Sequence, residues 1–400
     1  MLKLVTVELP EALSGLLVDR LPESPTAFIR HGGGIIGFGE AVRLTAKGPG
    51  RIASLAGQWR ALVATAEVED SVNLPGTGLV AFGSLAFADS SASESVLIVP
   101  QALIGSRDGS MWLTTVNGAT WPEATPYRSN EPLDLRPGSQ SREGFEASVQ
   151  SAIDAIAAGS AEKIVLARDL RASTPAEFDL RPALSKLAEK YPSCWVYSVD
   201  GTFGASPELL VRVAHGQVSA RVLAGTAGRG TDPAVDQAIA AALAGSSKNL
   251  AEHTFAVDSL VQALEPFCDH VDADSEPFSL ALPNVWHLAS DVHGVLKQDS
   301  SVLDLADALH PTAAVAGTPR TAAQQLIEEL EPFDRGRYAG PVGWIGADGD
   351  GEWAIALRGG QLSDGEVRAF AGCGIVAESE PSAELAETDL KFQPIIGALS

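Results

Sequence analysis

Short strand-like runs, separated by glycine and proline, fill most of the first 130 residues of this chain. They are rich in Val, Ile and Phe and alternate apolar with polar positions, as strands with one buried face do. The runs read LVTVEL, FIRH, IIGFGEAVRLTA, LVAFGSLAF, SVLIVPQALI and MWLTTV. One amphipathic helix is predicted among them, around residues 51–66. This part of the chain is therefore expected to form antiparallel sheet.

Helices and strands alternate in the rest of the chain. Apolar residues at helical spacing between 145 and 156 are followed by KIVLARDL, which has strand character. Further strands are predicted at CWVYSV, ELLVRVA and VSARVLAG, and a long helical region at 233–267. The polar stretch SNEPLDLRPGSQS, at 129–141, is the best candidate for a linker.

The closing third of the sequence predicts a hairpin at VWHLASDVHGVL, a helix near 320–331 and three strands, VGWIGA, EWAIALRGG and EVRAFAGCGIV. The last helix contains ETDLKFQPIIG, and Pro394 and Gly397 are expected to fray it before the terminus. Strands of antiparallel appearance with helices outside them indicate the α+β class.

The charge of the chain restricts its partners. Its 51 acidic and 28 basic residues give a formal net charge of −23, which would repel nucleic-acid phosphates and anionic lipid head groups. Neither nucleic acid nor a membrane surface is expected as a partner. An acidic protein that takes an anionic substrate must concentrate Lys and Arg locally or recruit a cation.

The cysteines point to a reducing compartment. Cys194, Cys268 and Cys373 are odd in number and form no CxxC pair, so neither a disulfide framework nor a zinc site is implied. The N-terminus lacks the apolar stretch of a signal peptide, and no run approaches the ~20 apolar residues of a membrane span. A cytoplasmic location is expected.

The segment HGGGIIGFG matches the glycine spacing of a dinucleotide-binding loop at Gly32, Gly34 and Gly37. Such a loop must lead into a helix whose N-terminal amides bind the pyrophosphate. Here the strand-like EAVRLTA follows, and no acidic residue near position 57 could bind a ribose. A hairpin or bulge is therefore predicted.

Glu384, Glu387 and Lys391 are spaced so that all three project from one face of the last helix. This face is either exposed to solvent or a site for a hard cation such as Mg²⁺, which prefers carboxylate oxygens and keeps several waters. Glu252, on a separate helical segment, could supply another ligand. The sequence leaves both interpretations open.

Lys163 and Glu208 each allow an ordinary and a catalytic interpretation. Lys163 is either a strand-end lysine or a general base, whose pKa would have to be lowered by burial or a nearby cation. Glu208 is either a strand-edge residue or a carboxyl that partial burial keeps protonated.

His287 and Arg358 also remain ambiguous. His287 shares a predicted strand face with Asp291 and His293, which is either a polar hairpin face or part of a site. Arg358 could hold a carboxylate through two hydrogen bonds or be exposed at a strand end. The small residues of GCGIV, at 372–376, would permit close approach of a ligand.

Taken together, these segments resemble the chorismate-utilising enzymes, which include anthranilate synthase first components, salicylate synthases and isochorismate synthases. Ten segments carry the resemblance in order, over some 240 residues: KIVLAR (163–168), SPELL (206–210), LAGT (223–226), EH (252–253), WHL (286–288), LHPTAAVAGTPR (309–320), FDRGRYAGPVGW (333–344), ALRGG (356–360), AGCGIV (371–376) and ETDLK (387–391). The first 130 residues resemble the variable half of the family only loosely.

The resemblance implies a fold of two large stacked antiparallel sheets flanked by helices. It implies that residues 1–135 complete the sheets and that 136–400 form the chorismate-binding catalytic region, within one globular unit. A monomer is expected.

The resemblance also implies roles for individual residues. Lys163 matches the base that activates water, and Glu208 matches the acid that protonates the departing hydroxyl. The residues that match Mg²⁺ ligands are Glu252, Glu384 and Glu387. Those that match positions around the substrate are Gly225, Thr226, His287, Ala314, Arg358, Gly374 and Lys391. A cation and a few basic groups would thus receive the chorismate dianion inside an acidic protein.

The segment LHPTAAVAGTPR favours the isochorismate synthase branch. Ala314 stands where the amine-transferring and lyase branches usually have threonine, whereas Ala313 stands where an isochorismate synthase usually has proline, which predicts a less rigid loop. The implied reaction is the reversible, Mg²⁺-dependent conversion of chorismate to isochorismate. Water attacks carbon 2, and the carbon 4 hydroxyl leaves.

Three alternatives stay open at this stage. A salicylate synthase would go on to expel pyruvate, and an anthranilate-type subunit would need ammonia or a glutaminase partner. A non-catalytic binding protein could retain the fold. The downstream product, menaquinone, a catechol siderophore or salicylate, cannot be read from the sequence.

Overall fold

The structure is a computed structural model that describes residues 1–10, 17–120, 125–281 and 285–400; of these, the side chains of Thr226, Lys248, Glu252 and Val285 are not described. The helices are α1 (Arg51–Val63), α2 (Arg142–Ala157), α3 (Arg181–Lys190), α4 (Pro233–Gly245), α5 (Ser247–Leu264), α6 (Val302–Leu309), α7 (Arg320–Leu330) and α8 (Pro381–Leu399), with short 3-10 helices at Leu17–Arg20 and Glu265–Phe267.

The strands of the N-terminal half are β1 (Lys3–Glu8), β2 (Thr26–Arg30), β3 (Gly33–Phe38), β4 (Val42–Ala46), β5 (Glu67–Asp70), β6 (Val80–Ser84), β7 (Ser95–Val99), β8 (Ala102–Arg107), β9 (Ser110–Val116), β10 (Arg136–Pro137), β11 (Lys163–Ser173), β12 (Trp195–Val199) and β13 (Thr202–Ser206). Those that follow are β14 (Leu209–Ala214), β15 (Gln217–Gly228), β16 (Cys268–Ala273), β17 (Phe278–Ala281), β18 (Val285–Leu296), β19 (Gly317–Thr318), β20 (Pro341–Gly346), β21 (Gly351–Ile355), β22 (Gly359–Ser363) and β23 (Glu366–Ile375).

Within the described residues these strands form one sheet of 13 strands and one of 10. Pairing is mainly antiparallel, and β1 pairs with β5 in parallel. The predicted α+β class, with two large antiparallel sheets flanked by helices, is confirmed. No helix in the described ranges is both long enough and apolar enough to cross a membrane.

The chain divides into two compact units. The first contains residues 1–208, 310–347 and 354–400, and the second contains 209–309 and 348–353. The first unit holds the 13-stranded sheet, in the order β10-β11-β23-β22-β13-β12-β2-β3-β8-β9-β1-β5, with β19 paired to β11. It also holds the antiparallel strands β20-β6-β7-β4 of the 10-stranded sheet. In the second unit the order is β16-β18-β15-β14, with β17 on β18.

One apolar core of the first unit joins α3 and α8 to the sheet. Phe392, Ile395, Ala398 and Leu399 of α8 are all buried in it. The prediction that α8 frays at Pro394 is wrong, because the helix continues to Leu399. Burial of the last turn offsets the hydrogen bond that proline cannot donate.

Several predicted elements are divided or merged. The strand run SVLIVPQALI is two strands, β7 and β8, which belong to different sheets on either side of Pro100. The helical region 233–267 is two helices, because Ser246 ends α4 and caps α5 through the amide of Asn249. The predicted hairpin VWHLASDVHGVL is wrong, since it forms the single strand β18, which pairs with β15 over most of its length.

Two other predictions concern turns. HGGGIIGFG is a hairpin between β2 and β3, as predicted, and a Cβ at Gly34 would lie 2.2 Å from the carbonyl oxygen of Phe28. Glycine is needed there for close strand approach. Part of the predicted linker is a strand, because β10 pairs with β11 at Arg171 and Leu170.

Candidate active site

Lys163 is the first residue of β11, a strand formed by a run of buried apolar residues. Its strand pairs with β19 at Thr318 and with β23, where Val165 lies opposite Gly374. A Cβ at Gly374 would lie 2.7 Å from Cε of Lys163. The space that Gly374 leaves therefore receives the Lys163 side chain, so this glycine bears on the lysine's position.

The backbone of Glu208 is fixed between β13 and β14. Its amide donates to Oγ of Ser206 at 3.2 Å, and its carbonyl oxygen accepts from the amide of Ile355 at 3.1 Å. Ser206 Oγ in turn donates to the carbonyl oxygen of Ile355 at 2.6 Å. These bonds fix the backbone from which the carboxyl projects.

Burial raises the pKa of the Glu208 carboxyl above its usual range. The charges of Arg358, Lys163 and Lys391 act in the opposite direction, but desolvation is the larger effect. Solvent still reaches part of the residue. Four of the predicted site residues thus share one electrostatic environment in the first unit, and the acid among them is shifted toward its protonated form.

Arg358 lies in the connection between β21 and β22, because the predicted strand EWAIALRGG is divided: β21 ends at Ile355 and β22 begins at Gly359. Its φ is 51°, and its carbonyl oxygen accepts a hydrogen bond from Ala205 at 3.3 Å. A positive φ is uncommon for a residue with a side chain and persists where the surroundings enforce it. The guanidinium is close enough to Glu208 to lower the pKa of that carboxyl.

Glu384, Glu387 and Lys391 project from α8, as their spacing predicts. Oε1 of Glu384 accepts from Oγ of Ser379 at 2.7 Å, and that hydroxyl accepts from the amide of Val376 at 3.1 Å. Nζ of Lys391 lies 2.6 Å from Oε1 of Glu387. The turn before α8 therefore orients one carboxylate, and a lysine one helical turn later neutralises the other.

Cys373 is buried beside these carboxylates on β23. Burial, together with the adjacent Glu384, raises the pKa of this thiol far above its usual range. A soft sulfur donor does not suit Mg²⁺, which takes oxygen ligands. The donors on offer at this end of α8 are carboxylate oxygens.

These carboxylates fit a hard divalent cation. Mg²⁺ binds one or two protein carboxylates and completes its shell with waters and substrate oxygens, which suits Glu384 and Glu387. In the parts of the chain that the structure describes, no group of three or more His, Cys, Asp or Glu side chains could hold a metal ion. The third predicted ligand, Glu252, has its side chain outside the described residues, as does Thr226 among the predicted substrate positions.

An ion-pair cluster fixes α8 to β11, and sequence reasoning missed it. Arg168 of β11, which is buried, donates to Thr388 Oγ1 at 2.7 Å and pairs with Asp389. Arg142 of α2 also holds Asp389, through two hydrogen bonds of 3.0 and 2.8 Å. Arg168, Thr388 and Asp389 lie inside the quoted segments KIVLAR and ETDLK, but their pairing cannot be read from the sequence.

A second buried cluster, formed by Glu331 and Arg335, binds the backbone of β11. Glu331 accepts from the amide of Ala167 at 2.7 Å and pairs with Arg335. Arg335 also donates to the carbonyl oxygens of Val165 and Val315, at 2.7 and 2.8 Å. This arginine therefore ties β11 to the turn that contains the predicted residue Ala314.

Ala314 is exposed in that turn. The carbonyl oxygen of Thr312 closes the turn by accepting from the amides of Val315 and Ala316, at 3.2 and 3.0 Å. None of the described contacts is a side-chain contact of Ala314, and its place around the substrate stays a prediction.

The predicted residues of the second unit lie around a β-bulge. Gly225 has a φ of 81° where the register of β15 against β18 shifts, and His287 lies opposite Thr226 in that register. His253 of α5 is buried and bonds the carbonyl oxygen of Ala224 at 3.1 Å through Nδ1. Its Nε2 lies 2.8 Å from Oγ of Ser290.

His253 therefore joins α5 to both strands beside the bulge. A carbonyl oxygen only accepts, so Nδ1 donates to Ala224; the hydroxyl of Ser290 can either donate to Nε2 or accept from it. The segment EH was recognised in the sequence, but no role followed for its histidine. The bulge needs a residue at positive φ, which explains the glycine in LAGT.

An open groove of about 620 Å³ lies elsewhere in the first unit. Its lining includes Phe38, Glu40, Gln101 and Asn117 and contains none of the predicted site residues. Cavity size in this unit is thus a poor guide to the candidate site.

Comparisons with known proteins identify the family of the chain. A family model described as chorismate binding enzyme matches residues 119–400. The chain is 38% identical over 340 residues to the MenF protein of Mycobacterium tuberculosis. This match covers 81% of this chain and 87% of that protein. It is 38% identical over 269 residues to the isochorismate synthase DhbC of Bacillus subtilis, covering 64% of this chain and 68% of that one.

Among solved structures, the menaquinone-specific isochorismate synthase MenF of Escherichia coli superposes with a TM-score of 0.80 at 24% identity. The superposition covers 100% of this chain and 95% of that one, and it shows a shared fold. The family match extends over more than half of the chain and contains most of the residues described above. The chain belongs to the family of chorismate-binding enzymes.

Proposed function

We propose that this protein is an isochorismate synthase, which converts chorismate reversibly to isochorismate and depends on Mg²⁺. The observation that carries the proposal is the setting of Glu208, a carboxyl shifted toward its protonated form among Lys163, Arg358 and Lys391. Relatives of 36 to 38% identity that bear the name isochorismate synthase support the same activity.

In the proposed reaction, Lys163 removes a proton from the water that attacks carbon 2 of chorismate. The ring double bond shifts, and Glu208 gives its proton to the hydroxyl of carbon 4, which departs as water. Acid and base catalysis of this kind each contribute about 10² to 10⁴-fold. A lysine acts as a base only when its amine is neutral, which neighbouring cations favour.

The basic groups of the first unit account for binding of the substrate's carboxylates. Arg358 and Lys391 are the described cations that share the environment of Glu208. Positive charge held near the substrate stabilises negative charge that develops on it during the reaction. Lys163, Arg358 and Lys391 thereby concentrate positive charge in a chain of net charge −23.

Glu384 and Glu387 are the described residues that would hold Mg²⁺. Bound there, the ion would supply a positive charge for a substrate carboxylate and stabilise charge that develops on the ring. Binding roles for Gly225, Thr226, His287, Ala314 and Gly374, and a ligand role for Glu252, follow from the family resemblance and stay predictions. So do the division at residue 135, the monomeric state and the cytoplasmic location.

Product analysis tests the proposal. Purified protein is incubated with chorismate, with and without Mg²⁺, and the products are separated by chromatography. We expect isochorismate to appear only with Mg²⁺ and to reach a constant ratio to chorismate, because the reaction is reversible. Accumulation of fluorescent salicylate would instead assign a salicylate synthase, and turnover that requires ammonium would assign an anthranilate-type enzyme. No product with any of these additions would refute the proposal.

A further inference from the structure

The two carboxylates of α8 have different partners. Glu387 has an ammonium group against it, with Nζ of Lys391 2.6 Å from Oε1. The same Nζ donates to the carbonyl oxygen of Gly372 at 2.8 Å. Glu384 accepts from the hydroxyl of Ser379, which is a neutral partner. Among the contacts that the structure describes, Glu387 is the one of these two carboxylates that pairs with a cation.

We propose that Lys391 is a displaceable counter-ion of the metal site. It neutralises Glu387 while no divalent cation is bound, and it leaves that carboxylate for a substrate carboxylate when a cation takes its place. This inference rests on the proposed function and adds that the binding of the cation and of the substrate is coupled through one lysine side chain.

Electrostatics supports the exchange. A divalent cation on Glu387 and an ammonium group in contact with the same carboxylate repel each other, so one of them must move away. Lysine carries its charge on a flexible four-carbon stem, and the Lys391 side chain is 25% exposed, which leaves room for it to move. Glu387 is 49% exposed, which keeps it accessible to an entering hydrated ion.

Lys391 lies near Glu208 as well as beside Glu387. Its charge acts to lower the pKa of Glu208, against the larger effect of burial, so the ammonium is within electrostatic reach of the acid. A lysine released from Glu387 would add its charge to the group that surrounds the substrate. Thermodynamic linkage then requires that substrate tighten the binding of the cation by the factor by which the cation tightens the binding of substrate.

The first test uses Mn²⁺ alone, without substrate, because bound and free Mn²⁺ can be distinguished by electron paramagnetic resonance. We expect Lys391→Met to bind Mn²⁺ about fivefold more tightly than the wild type, since a partly exposed ion pair no longer competes. Lys391→Gln is the second variant should Lys391→Met fold poorly.

Lys163→Met is the matched control. It removes a cation that also lies near Glu208, but Lys391 is the lysine paired with Glu387. A less than twofold change is expected in this control. Equal tightening of Mn²⁺ binding in both lysine variants would show a general electrostatic effect of removing a cation, and would contradict the proposed displacement of Lys391. Unchanged or weaker Mn²⁺ binding in Lys391→Met would contradict it as well.

The second test measures the coupling in a background that does not turn over. Chorismate should tighten Mn²⁺ binding to Glu208→Gln, and adding Lys391→Met should reduce this tightening at least threefold. Coupling that is unchanged in the double variant would overturn the proposed link. Absence of any chorismate binding would refute the isochorismate synthase assignment, whereas the substrate-free Mn²⁺ result would still decide whether Lys391 competes for Glu387.

Discussion

The candidate residues of the first unit and those of the second are held in place by different kinds of contact. In the first unit, ion pairs position β11 and α8: the partly buried pair of Arg168 with Asp389, and the buried pair of Arg335 with Glu331. In the second unit, backbone shape matters most, because a bulge at Gly225 and one histidine, His253, set the local geometry. Catalytic positioning in the first unit should therefore be sensitive to charge, and that in the second to backbone strain.

The largest expected effect is on turnover, from Glu208→Gln. Loss of the acid should lower kcat about 10³-fold, within the usual range for general acid catalysis. The native pKa is raised, so folding takes up protons here, and the stability of the wild type falls as pH rises from the ordinary glutamate range toward the native pKa.

Glutamine has the size and neutral charge of the protonated acid, and it cannot ionise, so the variant does not lose stability as the pH rises. The variant's melting temperature should consequently equal or exceed that of the wild type at pH 8, while activity is lost. Calorimetry and initial rates on the same preparation check both parts. A variant that retains near-native turnover would remove Glu208 from the mechanism.

Gly374→Ala should have the next largest effect, also on turnover. The added Cβ would meet Cε of Lys163 at 2.7 Å, so the amine must shift, and kcat should fall about 10²-fold because small displacements of a reacting group are costly. Gly57→Ala, on an exposed helical position with open space around it, is the control. It should leave kcat unchanged and raise stability by about 0.5–1 kcal/mol. Unaltered turnover in Gly374→Ala would show that the Lys163 side chain can avoid the added Cβ without loss of catalysis.

Asp389→Ala tests the charge clusters of the first unit. It leaves the buried Arg168 without its carboxylate, and the unfolding free energy should fall by about 2 kcal/mol, less than for a fully buried pair because Asp389 is partly exposed. Hydrogen bonding to Arg142 lowers the pKa of Asp389, so its contribution is present above the ordinary aspartate range and is lost as pH falls through the native pKa.

Urea unfolding at pH 7 measures the difference. Asp134→Ala removes an exposed pair with Arg136 and should leave stability unchanged within the error of the measurement. If the free energy of unfolding fell by the same small amount in both variants, the cluster at Asp389 would contribute no more stability than a surface ion pair.

Gly225→Ala gives the smallest effect and concerns the second unit. Alanine at a φ of 81° is strained, and the unfolding free energy should fall by about 1 kcal/mol. Gly228→Ala, on the same strand with open space and without a positive φ, should be neutral. A similar loss in both variants would show that the bulge is not the cause, and the contrast between the two units would weaken.

Elements were easiest to predict where a local pattern agrees with long-range packing. KIVLAR, α1, α2 and α7 occur where their periodicity indicates. Boundaries failed where tertiary contacts decide them: burial of the last turn carries α8 past Pro394, and pairing with β15 makes β18 one continuous strand. The local sequence pattern specifies neither how much area a helix end will bury nor which strand a segment will pair with.

The sequence by itself determined which residue types are present and which short segments match the chorismate-binding family, because side-chain chemistry and local spacing are written in it directly. Only the tertiary structure decided what surrounds them. It brought Lys163, Glu208, Arg358 and Lys391 into one electrostatic environment and laid the Lys163 side chain across Gly374. Desolvation and charge pairing depend on residues far apart in the chain, so the raised pKa of Glu208 and the pairing of Lys391 with Glu387 follow from packing.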